Sequence, residues 1–134
     1  PVADSEAVAY SFWKVISPLP KPESEYESIH LDPVDIQSIW QSGDYLNMVL
    51  QVMVKDKEHE LSFIDNGITS NANGTQTLHL TLFHHRKDDV EGFMQKYYLS
   101  VPLWHYEGKL NIGDTIVFEL YTYKEGMTQR TFTY

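Results

Sequence analysis

Residues 39 to 50 read "IWQSGDYLNMVL", and this stretch decides the fold that the chain is expected to adopt. Gly43 and Asp44 separate two apolar segments, and glycine tolerates the positive φ that a tight connection between strands requires. Tyr45 to Val54 is nearly all apolar, as in a strand covered on both faces. Trp40 and Tyr45 flank the turn and are predicted to pair across the two strands, which would fix their register. The stretch therefore predicts a β-hairpin, with a ligand-binding loop as the alternative.

Strand signals continue along the rest of the chain. Val8 to Ile16 is rich in β-branched and aromatic residues, and Thr77 to His85 alternates leucine with other residues. Further strands are predicted at residues 33–40, 59–65, 95–106, 115–123 and 127–134. About eight strands with turns at this short spacing are typical of an all-β sandwich or barrel. We therefore predict one all-β domain over residues 1–134.

Polar and glycine-containing segments are predicted to connect these strands. Asp65 to Gln76 contains two Gly and three Asn, and it is predicted to be a long loop. Arg86 to Gly92 is predicted to be a charged loop. Pro102 lies inside a predicted strand and indicates an edge or a bulge there. Gly126 suits the left-handed position of a bulged turn in the final hairpin.

Composition excludes several classes of function. The chain has 134 residues, a net charge of −9 and no cysteine, so disulfides, thiolate metal sites and cysteine nucleophiles are excluded. An acidic domain repels phosphate groups, so neither nucleic acid nor an anionic membrane surface is an expected partner. No apolar run approaches the roughly 18 residues that a membrane-spanning helix needs.

His84 and His85, followed by Asp88, Asp89 and Glu91, form the best chemical constellation in the sequence. Imidazole and carboxylate ligands suit zinc and other divalent ions. Adjacent residues of a strand point to opposite faces, however, so the two histidines cannot share one ion. His85 with Asp88 or Asp89 remains the metal-binding alternative. The preferred interpretation is a polar strand end that leads into a solvated loop, and no metal site is predicted.

Other motifs for catalysis or ligand binding are weak. The segment Asp65-Asn66-Gly67, followed by Asn71 and Asn73, lacks the alternating acids and the final glutamate of a calcium loop. The sequence contains neither a Gly-x-Ser-x-Gly elbow nor a glycine-rich phosphate loop. We therefore predict no catalytic residues and no cofactor, and the chain is not predicted to be an enzyme.

A row of aromatic residues supplies the candidate binding site. In the strand predicted at residues 95–106, Tyr98, Trp104 and Tyr106 share one parity, and aliphatic residues share the other. If the aliphatic row faces the core, the three aromatic side chains point outward. An outward aromatic row can anchor a protein partner, stack on sugars or be covered by another domain. Ordinary packing is the alternative, because a bulge at Pro102 would break the parity.

The motifs together resemble a known family. The segment "DPVDIQSIWQSGDYLNMVLQV" at residues 32–52 is similar to the C-terminal domain of NigD-like proteins, which are lipoproteins of Bacteroides and its relatives. Its pattern is Ile-Trp, a short glycine turn, Tyr-Leu-Asn and an apolar strand. "TLHLTLFHHRKDD", "YYLSVPL" and "TIVFELYTYKEGMTQRTFTY" resemble later strands of the same family. The resemblance extends from about Ala9 to Tyr134.

The resemblance implies an immunoglobulin-like antiparallel β-sandwich of about eight strands. Full-length members carry a lipidated cysteine and a small β-barrel domain upstream, so this chain is expected to be the C-terminal domain or a shortened member. The resemblance also implies a location in the cell envelope, in the periplasm or as an outer-membrane lipoprotein. It supplies no catalytic residues. The expected function is a non-enzymatic interaction domain for a protein partner or its own upstream domain. The alternative is a glycan-binding module that uses Tyr98, Trp104 and Tyr106.

Overall fold

The computed structural model describes residues 14–134, and it contains nine strands and two short 3-10 helices. The strands are β1 (Lys14–Ile16), β2 (Lys21–Pro22), β3 (Asp35–Ser42), β4 (Tyr45–Val54), β5 (Glu60–Ser70), β6 (Gln76–His85), β7 (Phe93–Pro102), β8 (Thr115–Thr122) and β9 (Gly126–Thr133). The 3-10 helices are Glu23–Glu25 and Leu103–Tyr106. Most of the strand predicted from Val8 lies outside the described residues. Within residues 14–134, no helix has the length and apolarity to cross a membrane.

The strands form two sheets, and the predicted β-sandwich is confirmed. One sheet has the order β1-β7-β4-β3, and the other has the order β2-β5-β6-β8-β9. Sequence neighbours such as β3 and β4 pair antiparallel, as predicted. The two sheets are mixed, however, because β1 pairs with β7, β2 with β5 and β6 with β8 in parallel, alongside the expected antiparallel pairs. Each parallel pair joins strands from distant parts of the chain, so local turn signals do not reveal it.

The hairpin predicted from the opening stretch is confirmed. Ser42 pairs with Tyr45, so Gly43 and Asp44 form a two-residue loop between β3 and β4. Gly43 has a φ of 58°, and a positive φ at the first loop residue matches the right-handed twist of the strands. The Asp44 carbonyl accepts a hydrogen bond from the Leu103 backbone N–H at 2.7 Å. This turn is therefore fixed against the segment that follows β7.

The predicted pairing of Trp40 with Tyr45 is wrong. The two-residue loop places Trp40 opposite Asn47, whereas Tyr45 lies opposite Ser42. The Trp40 ring instead packs edge-on against Tyr98 of β7, with 6.5 Å between ring centroids. The indole therefore reaches across β4 to the next strand of the sheet.

Apolar side chains between the two sheets form the core. In β4, alternate residues from Leu46 to Val54 are buried, and β7 contributes Tyr97, Leu99 and Val101 in the same way. The opposite sheet contributes Leu61, Phe63, Leu78, Leu80, Leu82, Ile116, Phe118 and Leu120. Burying one such side chain stabilises the fold by roughly 1.5–3 kcal/mol. This core makes a rigid base for the exposed residues described below.

The long loop predicted from Asp65 to Gln76 is mostly strand. β5 continues to Ser70, and the connection to β6 comprises only residues 71–75. The pairing register shifts between Asp65 and Ile68, where Gly67 has a φ of 98° and donates its N–H to the Asp65 carboxylate at 2.7 Å. A bulge therefore accommodates the Asp-Asn-Gly segment within the strand. Composition cannot distinguish this bulge from a loop, because glycine and asparagine favour both.

A connecting segment closes one end of the five-stranded sheet. β6 and β8 pair only over residues 77–81 and 115–119, and the segment 30–34 lies between their diverging ends. The Asp32 N–H donates to the His84 carbonyl, and the Val34 N–H donates to the Tyr121 carbonyl, each at 3.0 Å. This segment brings the Asp32 carbonyl close to the side chain of His84.

Candidate functional site

The three aromatic residues predicted to form one row lie in three different environments. Tyr98 lies on the outer face of β7, as expected, beside Trp40. β7 ends at Pro102, and residues 103–106 form a 3-10 helix, so strand alternation stops before Trp104. Trp104 is 47% exposed, but Tyr106 is only 1% exposed. The prediction that Tyr106 points outward is wrong, and the aromatic row required by the glycan-binding alternative is not formed.

Tyr106 is a structural residue of the core. Its hydroxyl donates a hydrogen bond to Asp65 Oδ2 at 2.8 Å. Burial raises the pKa of the Tyr106 phenol far above its usual range, and the hydrogen bond and charge of Asp65 raise it further. The hydroxyl therefore stays protonated and ties the 3-10 helix to the bulge in β5.

Trp104 lines a cleft of about 380 Å³ beside the β3–β4 turn. The 3-10 helix holds the tryptophan in place, because Leu103 and Tyr106 on either side of it are buried. The backbone also fixes the helix, since the Glu107 N–H donates to the Trp104 carbonyl at 3.1 Å. The complete lining is Gln41, Gly43, Asp44, Leu103, Trp104, Glu107, Ile112 and Tyr134.

Ile112 is the second apolar residue at this cleft and is 94% exposed. The turn that carries it is well bonded. The Asp114 carboxylate accepts the Asn111 N–H at 2.7 Å, and the Gly113 N–H donates to the Tyr134 carbonyl at 2.9 Å. Ile112 is therefore an apolar side chain in solvent on a fixed turn, which folding of the domain does not explain.

The cleft is electrically negative. Asp44 and Glu107 supply two exposed carboxylates, and the lining residues include neither lysine nor arginine. The lining also contains no histidine, serine or cysteine, so it offers no pairing of a base with a nucleophile. The cleft therefore combines two exposed apolar side chains, Trp104 and Ile112, with exposed carboxylates.

A second group of polar side chains is buried at one end of the sandwich. This end is formed by the β4–β5 and β6–β7 connections. His84 Nε2 lies 2.9 Å from His59 Nδ1, and His59 Nε2 lies 3.0 Å from Asp89 Oδ2. All three side chains are buried. We call His84, His59 and Asp89 the buried triad. It joins β6, the start of β5 and the loop between β6 and β7.

The outer members of the buried triad are held by backbone groups. His84 Nδ1 donates to the Asp32 carbonyl at 3.0 Å. The Asp89 carboxylate accepts the N–H groups of Lys55 at 2.8 Å and Asp56 at 3.1 Å. Burial lowers the pKa of His84 to about 4, although the bond to the Asp32 carbonyl opposes this change. Burial alone would raise the pKa of Asp89, but the bonds from Lys55, Asp56 and His59 outweigh it and hold that pKa well below its usual range.

The sequence prediction for these histidines is partly confirmed. His84 and His85 do point to opposite faces, because His84 is buried and His85 stacks on His30 with 3.7 Å between ring centroids. Asp89 contacts His59 and not His85. Among residues 14–134, no three His, Cys, Asp or Glu side chains are arranged to hold a metal ion. His59 was missed, although it shares the parity of the core residues that follow it in β5.

Comparisons with known proteins agree with the architecture. The strand order defines a two-sheet β-sandwich domain. A family model described as the NigD-like C-terminal beta sandwich domain matches residues 17–134, and the chain belongs to this family. No curated protein matches the chain.

Three solved structures are similar. A NigD-like immunity protein from Bacteroides caccae has 32% identity and a TM-score of 0.74, over 90% of this chain and 64% of that protein. A putative toxin-related protein from Parabacteroides distasonis has 20% identity and a TM-score of 0.65, over 90% of this chain and 61% of that one. A protein of unknown function from Bacteroides vulgatus has 20% identity and a TM-score of 0.65, over 91% of this chain and 56% of that protein. The chain thus spans less than two thirds of the length of these relatives.

Proposed function

We propose that this chain is a non-enzymatic interaction domain that binds a partner protein at the cleft between Trp104 and Ile112. The observation that carries this proposal is the position of these two apolar side chains, both exposed on well-bonded backbone at one cleft. Tryptophan is among the residues that contribute most binding energy at protein interfaces. An anchor that is already held in place loses little conformational entropy when the partner binds.

The charge of the domain favours a basic partner surface. The net charge is −9, and Asp44 and Glu107 lie at the cleft beside Trp104. Lysine or arginine side chains of a partner can pair with these carboxylates, and their charge can also interact with the indole face. Long-range attraction between an acidic and a basic protein raises the association rate, and salt weakens it.

The similar protein from Bacteroides caccae supports a protein partner, because it is described as an immunity protein. The immunity proteins of colicin nucleases, for example, form very tight complexes with another protein. The cleft also lacks a base paired with a nucleophile, which favours binding over catalysis. An upstream domain, which the family resemblance leads us to expect, is the alternative occupant of the cleft.

We also propose that this interaction takes place at the cell envelope, because the NigD-like proteins that the sequence resembles are lipoproteins. Fractionation of a Bacteroides-type host that expresses the tagged parent protein tests the location. Recovery in the membrane or periplasmic fraction is expected. Recovery in the cytosol alone would contradict the proposed location and leave the cleft proposal to its own test.

Comparative affinity capture tests the binding proposal. The chain, its Trp104→Ala variant and its Tyr121→Ala variant are immobilised and exposed to a cell-envelope extract. Tyr121 is the control, because it is similarly exposed and lies on β8 of the other sheet. One protein should be retained by the chain and by Tyr121→Ala, be lost by Trp104→Ala, and elute at raised salt. Equal retention by all three would overturn the proposal, and retention of only the parent protein's own upstream segment would identify that segment as the occupant.

A further inference from the structure

Three hydrogen bonds along the buried triad require three protons. The Asp32 carbonyl only accepts, so His84 Nδ1 carries a proton. The ionised Asp89 carboxylate also only accepts, so His59 Nε2 carries a second. His84 Nε2 and His59 Nδ1 lie 2.9 Å apart, and a proton must lie between them because two lone pairs would repel at this distance. Two neutral imidazoles carry only two protons in total.

We propose that the buried triad holds one proton more than two neutral histidines carry, and that loss of this proton with rising pH releases the loop 86–92 from the turn 55–57. The folded triad then contains one imidazolium and one carboxylate, whose charges cancel. This inference is independent of the partner proposed for the cleft.

The extra proton resides on the imidazoles and not on Asp89. Both carboxylate oxygens of Asp89 accept backbone N–H groups, from Lys55 and Asp56, and such bonds stabilise the ionised form. The extra proton therefore lies on the pair of imidazoles, and His59 Nε2 joins that pair to the ionised carboxylate. In the described part of the chain, no buried side-chain nitrogen or oxygen lacks a hydrogen-bond partner, which agrees with this arrangement.

Among the residues that the structure describes, none of the charged or titratable groups that surround the triad supplies a proton to the contact between His84 and His59. On the segment 30–34, the Asp32 carboxylate accepts the Arg86 backbone N–H at 2.9 Å. On β7, burial raises the pKa of Tyr97, and the charges of Glu58 and Asp89 raise it further, so the phenol stays neutral. The turn 55–57 presents backbone N–H groups to Asp89, including that of Lys57, and the Lys57 ammonium donates to the Lys87 carbonyl at 2.8 Å.

Release of the loop is expected because Asp89 bridges it to the rest of the domain. Lys87 and Asp88 have φ values of 56° and 59°, which are unfavourable for residues other than glycine. The bonds from Asp89 to Lys55 and Asp56 help to hold this conformation. When the triad loses its extra proton, the lone pairs of His84 Nε2 and His59 Nδ1 face each other at 2.9 Å, and their repulsion displaces His59 together with its partner Asp89. The strained loop then has less to hold it in place.

Long-range ¹H–¹⁵N NMR of the histidine rings tests the proton count in the full chain. During a titration from about pH 6 to 10, one ring of the triad should keep protons on both nitrogens at pH values where a free imidazole, with its usual pKa of about 6.5, is neutral. Amide exchange at Lys55 and Asp56 should rise at least tenfold beyond the ordinary effect of pH as that ring loses its proton. The proposal would be overturned if all six histidines titrated together. It would also be overturned if amide exchange at Lys55 and Asp56 did not change when the ring loses its proton.

Two variants separate the triad from general effects of charge. Asp89→Asn should abolish the persistent imidazolium, whereas Asp88→Asn, one residue away and exposed, should retain it. A persistent imidazolium in Asp89→Asn would contradict the assignment. If Asp89→Asn does not fold, the titration of the unaltered chain, with Asp88→Asn as control, still decides the question.

Discussion

The ring nitrogens of His84 and His59 lie 2.9 Å apart inside one end of the sandwich, although 25 positions separate the residues in sequence. His84 comes from the end of β6, and His59 immediately precedes β5, its antiparallel neighbour. Because Asp89 continues the chain of bonds to the turn 55–57, the stability of this end of the domain depends on pH.

Acid should destabilise the domain through His84. Its pKa is lowered from 6.5 to about 4 on folding, so the unfolded chain takes up a proton that the folded chain refuses between these values. The contribution of His84 to stability is therefore complete above the unfolded pKa and is lost as the pH falls toward about 4, by up to roughly 3 kcal/mol. Urea unfolding at several pH values measures this effect. His84→Gln should flatten the acid limb and the control His79→Gln should not, and the same acid limb in both variants would contradict the assignment.

Tyr106→Phe should destabilise the domain without changing its shape. The substitution removes the hydrogen bond to the Asp65 carboxylate, which is worth about 1–3 kcal/mol. Tyr106→Ala should cost more, roughly 3–5 kcal/mol, because it also leaves a cavity. Urea unfolding measures both changes. Tyr121→Phe is the control, since its ring is exposed, and an unchanged stability in Tyr106→Phe would place the hydroxyl in solvent.

Gly92→Ala should destabilise the domain because β4 approaches this residue closely. A Cβ atom at position 92 would lie 2.8 Å from the Val54 carbonyl oxygen and 3.0 Å from Lys55 Cβ. Relieving this clash requires a backbone shift, with a cost of about 1–3 kcal/mol. Val90→Ala, at an exposed position in the same loop, should change stability by less than about 0.5 kcal/mol. Equal thermal midpoints for the two variants would show that the loop adapts freely.

The sequence predicted those elements whose signals are local. The β4 strand was predicted with its observed limits, Tyr45–Val54, because an apolar run next to a glycine turn has few other interpretations. The positive φ of Gly126, 70°, was likewise predicted from the turn alone. The parallel pairings were not predicted, because they depend on which distant strands meet.

The candidate site was predicted only in part, for the same reason. Trp104 is exposed, as expected. The strand alternation on which this expectation depended ends at Pro102, however, and Tyr106 is therefore buried in the core. Ile112 was not predicted to belong to a site, since a single apolar residue in a turn carries no local signal of a cleft. The contact of His59 with Asp89 spans 30 positions and exists only once both sheets are assembled.

Site-specific photo-cross-linking from position 112 tests the proposed binding function most directly. A photoreactive amino acid replaces Ile112 in one version of the chain and Tyr121 in another, and both are irradiated in cells of the native host type. We predict a discrete adduct with one protein from position 112, lost when Trp104→Ala is added, and no such adduct from position 121. An adduct that forms equally from both positions, or that persists with Trp104→Ala, would contradict binding at the cleft, as would the absence of any adduct from position 112.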